Sequence, residues 1–171
     1  MKLDVFKSEY IFLDQELNSQ AEVFNFIAKV ADEHQIANDK AALIKGFMAR
    51  EDEGSTGFED GFAIPHARIK EVKNPAVIVI RLKTGIDWNA MDGKSTNVII
   101  ALLVPQGPSG EEHLAILSNI AMKLLNSDFK QKMNTLKSKK AILDLLKAEP
   151  IKQDKQVRER ERERERERAA P

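Results

Sequence analysis

Hydrophobic and polar positions follow two different periods along this chain. Tyr10-Ile-Phe-Leu13 is a short apolar run of strand type, and Ser19-Gln-Ala-Glu22 is a capping box, hydroxyl and carboxylate three residues apart. Behind the box, Val23, Phe26, Ile27, Val30 and Ala31 recur at helical spacing and predict a helix to about His34. Asp39 caps a second helix with Leu43, Ile44, Phe47 and Met48 on its apolar face, stopped by Gly54. Arg50 falls in its last turn.

The period then changes. Gly57 and Gly61 bracket a turn or short hairpin before Phe62-Ala-Ile64, and two β-branched runs follow at Ala76-Val-Ile-Val-Ile80 and Val98-Ile-Ile-Ala-Leu-Leu-Val104. The second is apolar on both faces, as in a central strand covered by helices on both sides. Between them, Gly85 to Asn89 and Met91 to Gly93 read as turn and loop with one edge strand at most. Trp88 in this stretch is either a partly exposed loop aromatic or a lid over the core. Pro105 to Gly110 is a loop by composition, after which Glu111-Glu-His113 opens a helix striped by Leu114, Ile116, Leu117, Ile120, Ala121 and Leu124. Further helical stretches run from Phe129 to Leu136 and from Ala141 to Leu146. The pattern is α/β, a single-domain α-β-α sandwich with a mixed parallel and antiparallel central sheet flanked by helices on both faces, ending near residue 148.

Composition agrees with one domain, since 171 residues with 42% hydrophobic content bury one substantial core. Lys+Arg and Asp+Glu both number 27, so no global field draws the chain to nucleic acid or an anionic membrane. The run from Arg158 to Arg168 alternates six Arg with five Glu, and without it 21 basic residues face 22 acidic ones. In a helix this alternation sets like charges four apart and opposite charges three apart, so the pair energies partly cancel. Residues 149–171 bury nothing, and the expectation is a charged tail, disordered or an appendage to the domain. No apolar run approaches the length of a membrane span and no signal-like segment opens the chain, so a cytoplasmic protein that is not itself membrane-embedded is expected. Cysteine is absent, which removes thiol chemistry from this chain.

The chemistry gathers between residues 50 and 66 and at His113. His66 follows Ile64-Pro65, where the fixed φ of proline holds it at a strand end and presents the imidazole. Arg50 offers a permanently charged planar fork suited to phosphoryl oxygens, and Gly54-Ser-Thr-Gly57 offers amides and hydroxyls. His113 at a helix start brings an imidazole near a positive dipole end. Each residue also has a plainer role: Arg50 as a cap on the helix carbonyls, His113 as an exposed helix residue, Ser55 and Thr56 as ordinary turn residues. His34, at a helix end after Asp32-Glu33, answers the dipole there and receives no site role.

Arg50-Glu51, Ala63-Ile64-Pro65-His66 and Glu112-His113-Leu114, in this order, resemble the active-site signature of the IIA components of the sugar phosphotransferase system, fructose/mannitol class, type 2, over most of residues 1–148. The resemblance implies a phosphotransferase in which His66 accepts a phosphoryl group from the carrier protein HPr, with Arg50 and His113 catalytic and Ser55, Thr56, Gly57 and Asp60 candidate phosphate-binding residues. It implies transfer to a cysteine of a IIB domain, which must lie on another polypeptide, as must the IIC permease. It implies no metal or cofactor. A fructose-type transport component is the first reading, and a regulatory protein of the nitrogen-related IIA type is the alternative. The chain departs from the usual glycine-rich turn at Gly57-Phe-Glu-Asp-Gly61, where Asp60 is placed to orient His66 or His113 through a carboxylate hydrogen bond.

Overall fold

The computed structural model describes residues 5–148 and 162–168. In chain order the elements are β1 (Ile11–Gln15), α1 (Gln20–Glu33), α2 (Lys40–Glu53), β2 (Phe62–Ala63), β3 (His66–Arg68), β4 (Ala76–Ile86), β5 (Thr96–Val104), α3 (Pro108–Lys123), α4 (Ser127–Thr135) and α5 (Lys139–Lys147). The sheet runs β1-β4-β5-β2, with β3 continuing the edge beside β5. β4 and β5 are antiparallel, whereas β1 lies parallel to β4, and β2 and β3 lie parallel to β5.

Strand period sorts the core into two layers. On β5, Ile99, Ala101 and Leu103 pack with Val23, Phe24, Ile27, Leu43 and Phe47 of α1 and α2. Val98, Ile100, Leu102 and Val104 pack on the other side with Ile116, Ile120, Phe129 and Ile142 of α3 to α5. All nine residues of β5 except Asn97 are buried, as a strand sandwiched between two helical layers requires. The α-β-α sandwich with a mixed sheet read from the sequence is the observed fold.

Local differences have local causes. β4 continues to Ile86 through a register shift after Arg81, absorbing part of the segment read as turn and loop. Trp88, 1% exposed, meets Phe24 edge-on, so of its two readings the lid is the observed one. On α1 the buried aromatic is Phe24, while Phe26 is half-buried against Phe12. On α2 Leu43 and Phe47 are buried and Met48 is 53% exposed, because this helix packs on α1 and β3 only along a narrow strip. α3 begins at Pro108, three residues before the predicted start, since Gly107 at φ 99° makes the turn and proline suits the first helical position. No helix among the described residues is long and apolar enough to cross a membrane. In the tail, 162–168 is helical with every residue exposed, and residues 149–161 and 169–171 lie outside the described residues.

Two features set the site at one sheet edge. The edge strand is interrupted between β2 and β3, where Pro65 has no N–H to donate: Phe62 and Ala63 pair with Val98 and Ile99, and pairing resumes at His66 opposite Leu102. His66 therefore opens a strand rather than closing one. Opposite it, Gly46 lets α2 lie close on the chain after His66, since a Cβ there would stand 3.0 Å from Ile69 and 3.5 Å from Ala67. A glycine inside a helix costs about 1 kcal/mol relative to alanine, and this approach is what it obtains. One turn further on, Arg50 reaches the start of β3.

Candidate active site

Arg50 and His66 meet directly. The Arg50 Nε–H donates to His66 Nε2 at 3.1 Å, and one terminal nitrogen of the same guanidinium donates to the Gly54 carbonyl at 2.8 Å. The arginine thus caps its own helix and reaches the imidazole, and the two roles read for it coexist. His66 Nδ1 lies 3.4 Å from the Ile64 carbonyl. A carbonyl accepts only from an N–H, and the arginine donates only to a lone pair, so both contacts assign the proton to Nδ1 and leave the lone pair on Nε2.

The surroundings favour the neutral form of this ring. Burial is the main cause that holds the His66 pKa below its ordinary value, and the Arg50 charge acts in the same direction. The Ile64 carbonyl and the carboxylates of Glu51 and Glu53 oppose the shift. Both residues line a cleft of about 300 Å³, together with segment 55–58, Ile64, and Leu117, Ser118 and Ala121 of α3. Leu117 and Ala121 belong to the apolar stripe of α3 yet are only half-buried, because the cleft opens over them.

The remaining predicted residues divide. Ser55 lines the cleft with its hydroxyl donating to the Trp88 carbonyl (3.1 Å) and accepting the Gly57 amide (3.0 Å). Thr56 is buried; its hydroxyl bonds Glu51, its amide donates to Glu51 at 3.1 Å, and Trp88 Nε1–H donates to its oxygen at 3.1 Å. Both hydroxyls therefore hold the loop, and the Gly57 amide is already engaged. Asp60 touches neither histidine. Its carboxylate pairs with Lys130 (2.6 Å) and Lys94 (3.1 Å), which hold it below the usual carboxylate range, Lys130 first. The turn explains this: Asp60 has φ 60° and Gly61 φ 87°, a left-handed pair that aims the carboxylate away from the cleft.

His113 lies in the second turn of α3, beyond the free amides of the helix start, with Nδ1 against the Ser109 carbonyl. It stands one helical turn before Leu117, next to the cleft and not among its lining residues. Glu51, Trp88 and Gly46 also shape the site, and the sequence marked them weakly. Glu51 sat in a charged run like any solvated helix end, and Gly46 inside a helix was the one local misfit that pointed to close packing.

A family model described as "Phosphoenolpyruvate-dependent sugar phosphotransferase system, EIIA 2" matches residues 4–149. The chain is 33% identical over 138 residues to the PTS system fructose-specific EIIA component of Haloferax volcanii, covering 81% of this chain and 89% of that one. It is 31% identical over 125 residues to a nitrogen regulatory protein of Pseudomonas aeruginosa, covering 73% and 78%. The crystal structure of nitrogen regulatory protein IIA-Ntr from Neisseria meningitidis superposes with a TM-score of 0.78 at 30% identity, covering 84% of this chain and 97% of that one. With the matched region spanning the whole sandwich, the chain belongs to the type 2 EIIA family of the phosphoenolpyruvate-dependent sugar phosphotransferase system, phosphotransferases that work through a phosphohistidine.

Proposed function

We propose that this protein is a phosphocarrier in which His66 takes a phosphoryl group from the phosphohistidine of HPr and hands it to a cysteine of a separate IIB domain serving a IIC permease, with fructose as the transported sugar. The observation that carries the reading is His66 Nε2 facing the Arg50 guanidinium at 3.1 Å in an open cleft, where burial favours the neutral imidazole. In the forward step the Nε2 lone pair attacks phosphorus, a new N–P bond forms, and the N–P bond to the donor breaks with its electron pair returning to the donor nitrogen. Nδ1 keeps its proton toward the Ile64 carbonyl. Arg50 moves from the ring nitrogen to the equatorial oxygens, where its planar charge offsets the charge of a loose, metaphosphate-like transition state. In the onward step the thiolate of the IIB cysteine attacks phosphorus, an S–P bond forms, and the Nε2–P bond breaks with its electron pair returning to Nε2.

Incubation with labelled phosphoenolpyruvate, enzyme I and HPr tests this. Acid-labile label on His66 that requires HPr and is lost in His66→Ala is the expected result, and absence of label on the folded protein overturns it. A second reading, a regulatory IIA whose phosphorylation state controls a binding partner, draws on the likeness to nitrogen regulatory proteins at nearly the same identity. Passage of the label to a cysteine-bearing IIB favours transport, and its retention on His66 favours regulation.

A further inference from the structure

Arg50 and Glu51 are neighbours in sequence in the last turns of α2, and adjacent side chains on a helix point to different sides. Arg50 makes no ion pair among the described residues; its contacts are the neutral acceptors His66 Nε2 and the Gly54 carbonyl. Glu51 instead turns inward, where its carboxylate accepts the Thr56 amide, the Thr56 hydroxyl and Trp88 Nε1–H, the last at 3.3 Å. Trp88 is fixed in turn, edge-on to Phe24 in the core, and its carbonyl accepts the Ser55 hydroxyl on the cleft side.

We infer that Glu51 is a positioning residue for phosphoryl transfer: Thr56 and Trp88 hold its carboxylate by three hydrogen bonds apart from the guanidinium, so that Arg50 stays without an ion-pair contact and its donors remain available to the phosphoryl group. The same three bonds tie segment 54–58 to the end of α2, so one carboxylate sets both the charge and the shape of the cleft. The inference rests on the phosphocarrier reading for its kinetic consequence, and on geometry alone for its electrostatic one. A carboxylate freed from this knot has a cation adjacent in sequence to pair with. Pairing removes the Arg50 field from His66, on which Arg50, Glu51 and Glu53 are the charged groups that act.

The test uses the full chain with Thr56→Val, which keeps the volume and removes the hydroxyl, and Thr56→Ser, which restores it. Thr56→Val is expected to lower kcat for phosphorylation by phospho-HPr on the order of tenfold, with KM for phospho-HPr unchanged, because orientation at the reacting group is lost and docking is not. The His66 pKa, followed by NMR titration of the imidazole, is expected to rise. Thr56→Ser is expected to return both to wild-type values. If Thr56→Val does not fold, Trp88→Phe removes one of the three donors and moves both readouts in the same directions by less. A folded Thr56→Val protein with wild-type kcat and wild-type His66 pKa overturns the inference, as does a change confined to KM. If wild-type His66 takes no label, the carrier reading falls by itself, and the NMR comparison still decides whether Glu51 is withheld from Arg50.

Discussion

His66 and His113 each point Nδ1 at a carbonyl a short way back in the chain, Ile64 for the first and Ser109 for the second, an arrangement that places the ring's lone pair on Nε2. Beyond that shared device their settings diverge. His66 opens a strand paired to the buried β5, half-buried, with a guanidinium against Nε2 and a cleft in front. His113 sits on the second turn of a helix, and its ring is held by its own helix only among the described contacts. A carbonyl at Nδ1 selects a tautomer, and it takes a fixed backbone, partial burial and a cation to make that tautomer a phosphoryl acceptor. The contrast supports the covalent role proposed for His66, the acceptor already named from the sequence, and sets His113 beside the cleft.

Removing the cation should break the contrast most severely. Arg50→Ala is expected to fold, since the side chain caps only its own helix end, and to lose about 10²- to 10³-fold in kcat for phosphorylation, the size seen when one charge-stabilising donor is deleted. A loss below about tenfold would mean that the guanidinium serves the helix and not the phosphoryl group. The pH profile adds a second readout. Because burial and Arg50 lower the His66 pKa, the acid limb of the rate should have its midpoint below 6.5 in the wild type and move upward in Arg50→Ala. Linkage has a defined sign here: between the lowered folded pKa and the ordinary value of 6.5 the unfolded chain binds more protons, so this histidine withdraws stability as pH falls below 6.5 and nothing above it.

Removing His113 should do much less. An exposed contact is worth up to about 1 kcal/mol, so His113→Ala is expected to slow transfer by no more than about fivefold, with label still on His66. A loss equal to that of Arg50→Ala would show that α3 brings the second imidazole into the cleft during transfer, and would make the two histidines partners.

How much of this was legible from sequence follows from the range of the forces involved. Capping boxes, strand runs and turn glycines are local, and Ser19, Asp39 and the β5 run appear where their chemistry required. Arg50 and His66 were also legible, because proline and the helix stop place each of them near the same sheet edge. Contacts that depend on side-chain direction were not. Asp60 lay close to His66 in sequence and turned away through a left-handed turn, Phe24 took the buried place read for Phe26, and Glu51 joined Trp88 across 37 positions. The start of α3 was missed because Pro108 and Gly110 look like loop residues, although proline is at home at a first helical position and a Cβ at Gly110 would overlap the Pro105 carbonyl at 1.8 Å.

Asp60 offers the finest test of the contrast between residues near the cleft in sequence and residues within it in space. Its carboxylate bridges Lys94 and Lys130 at 3.1 and 2.6 Å on an exposed surface, and its amide is held by Asp92 at 3.0 Å, so it braces the turn behind the cleft without facing it. Asp60→Asn keeps the shape and removes the charge. Transfer to His66 is expected to stay within about twofold of the wild type, and any change in melting temperature should fade as ionic strength rises, as screening of exposed pairs requires. A drop in phosphorylation rate that persists at high salt would instead place this carboxylate in the path of the phosphoryl group, and the left-handed turn at Asp60 and Gly61 would then have to open before transfer.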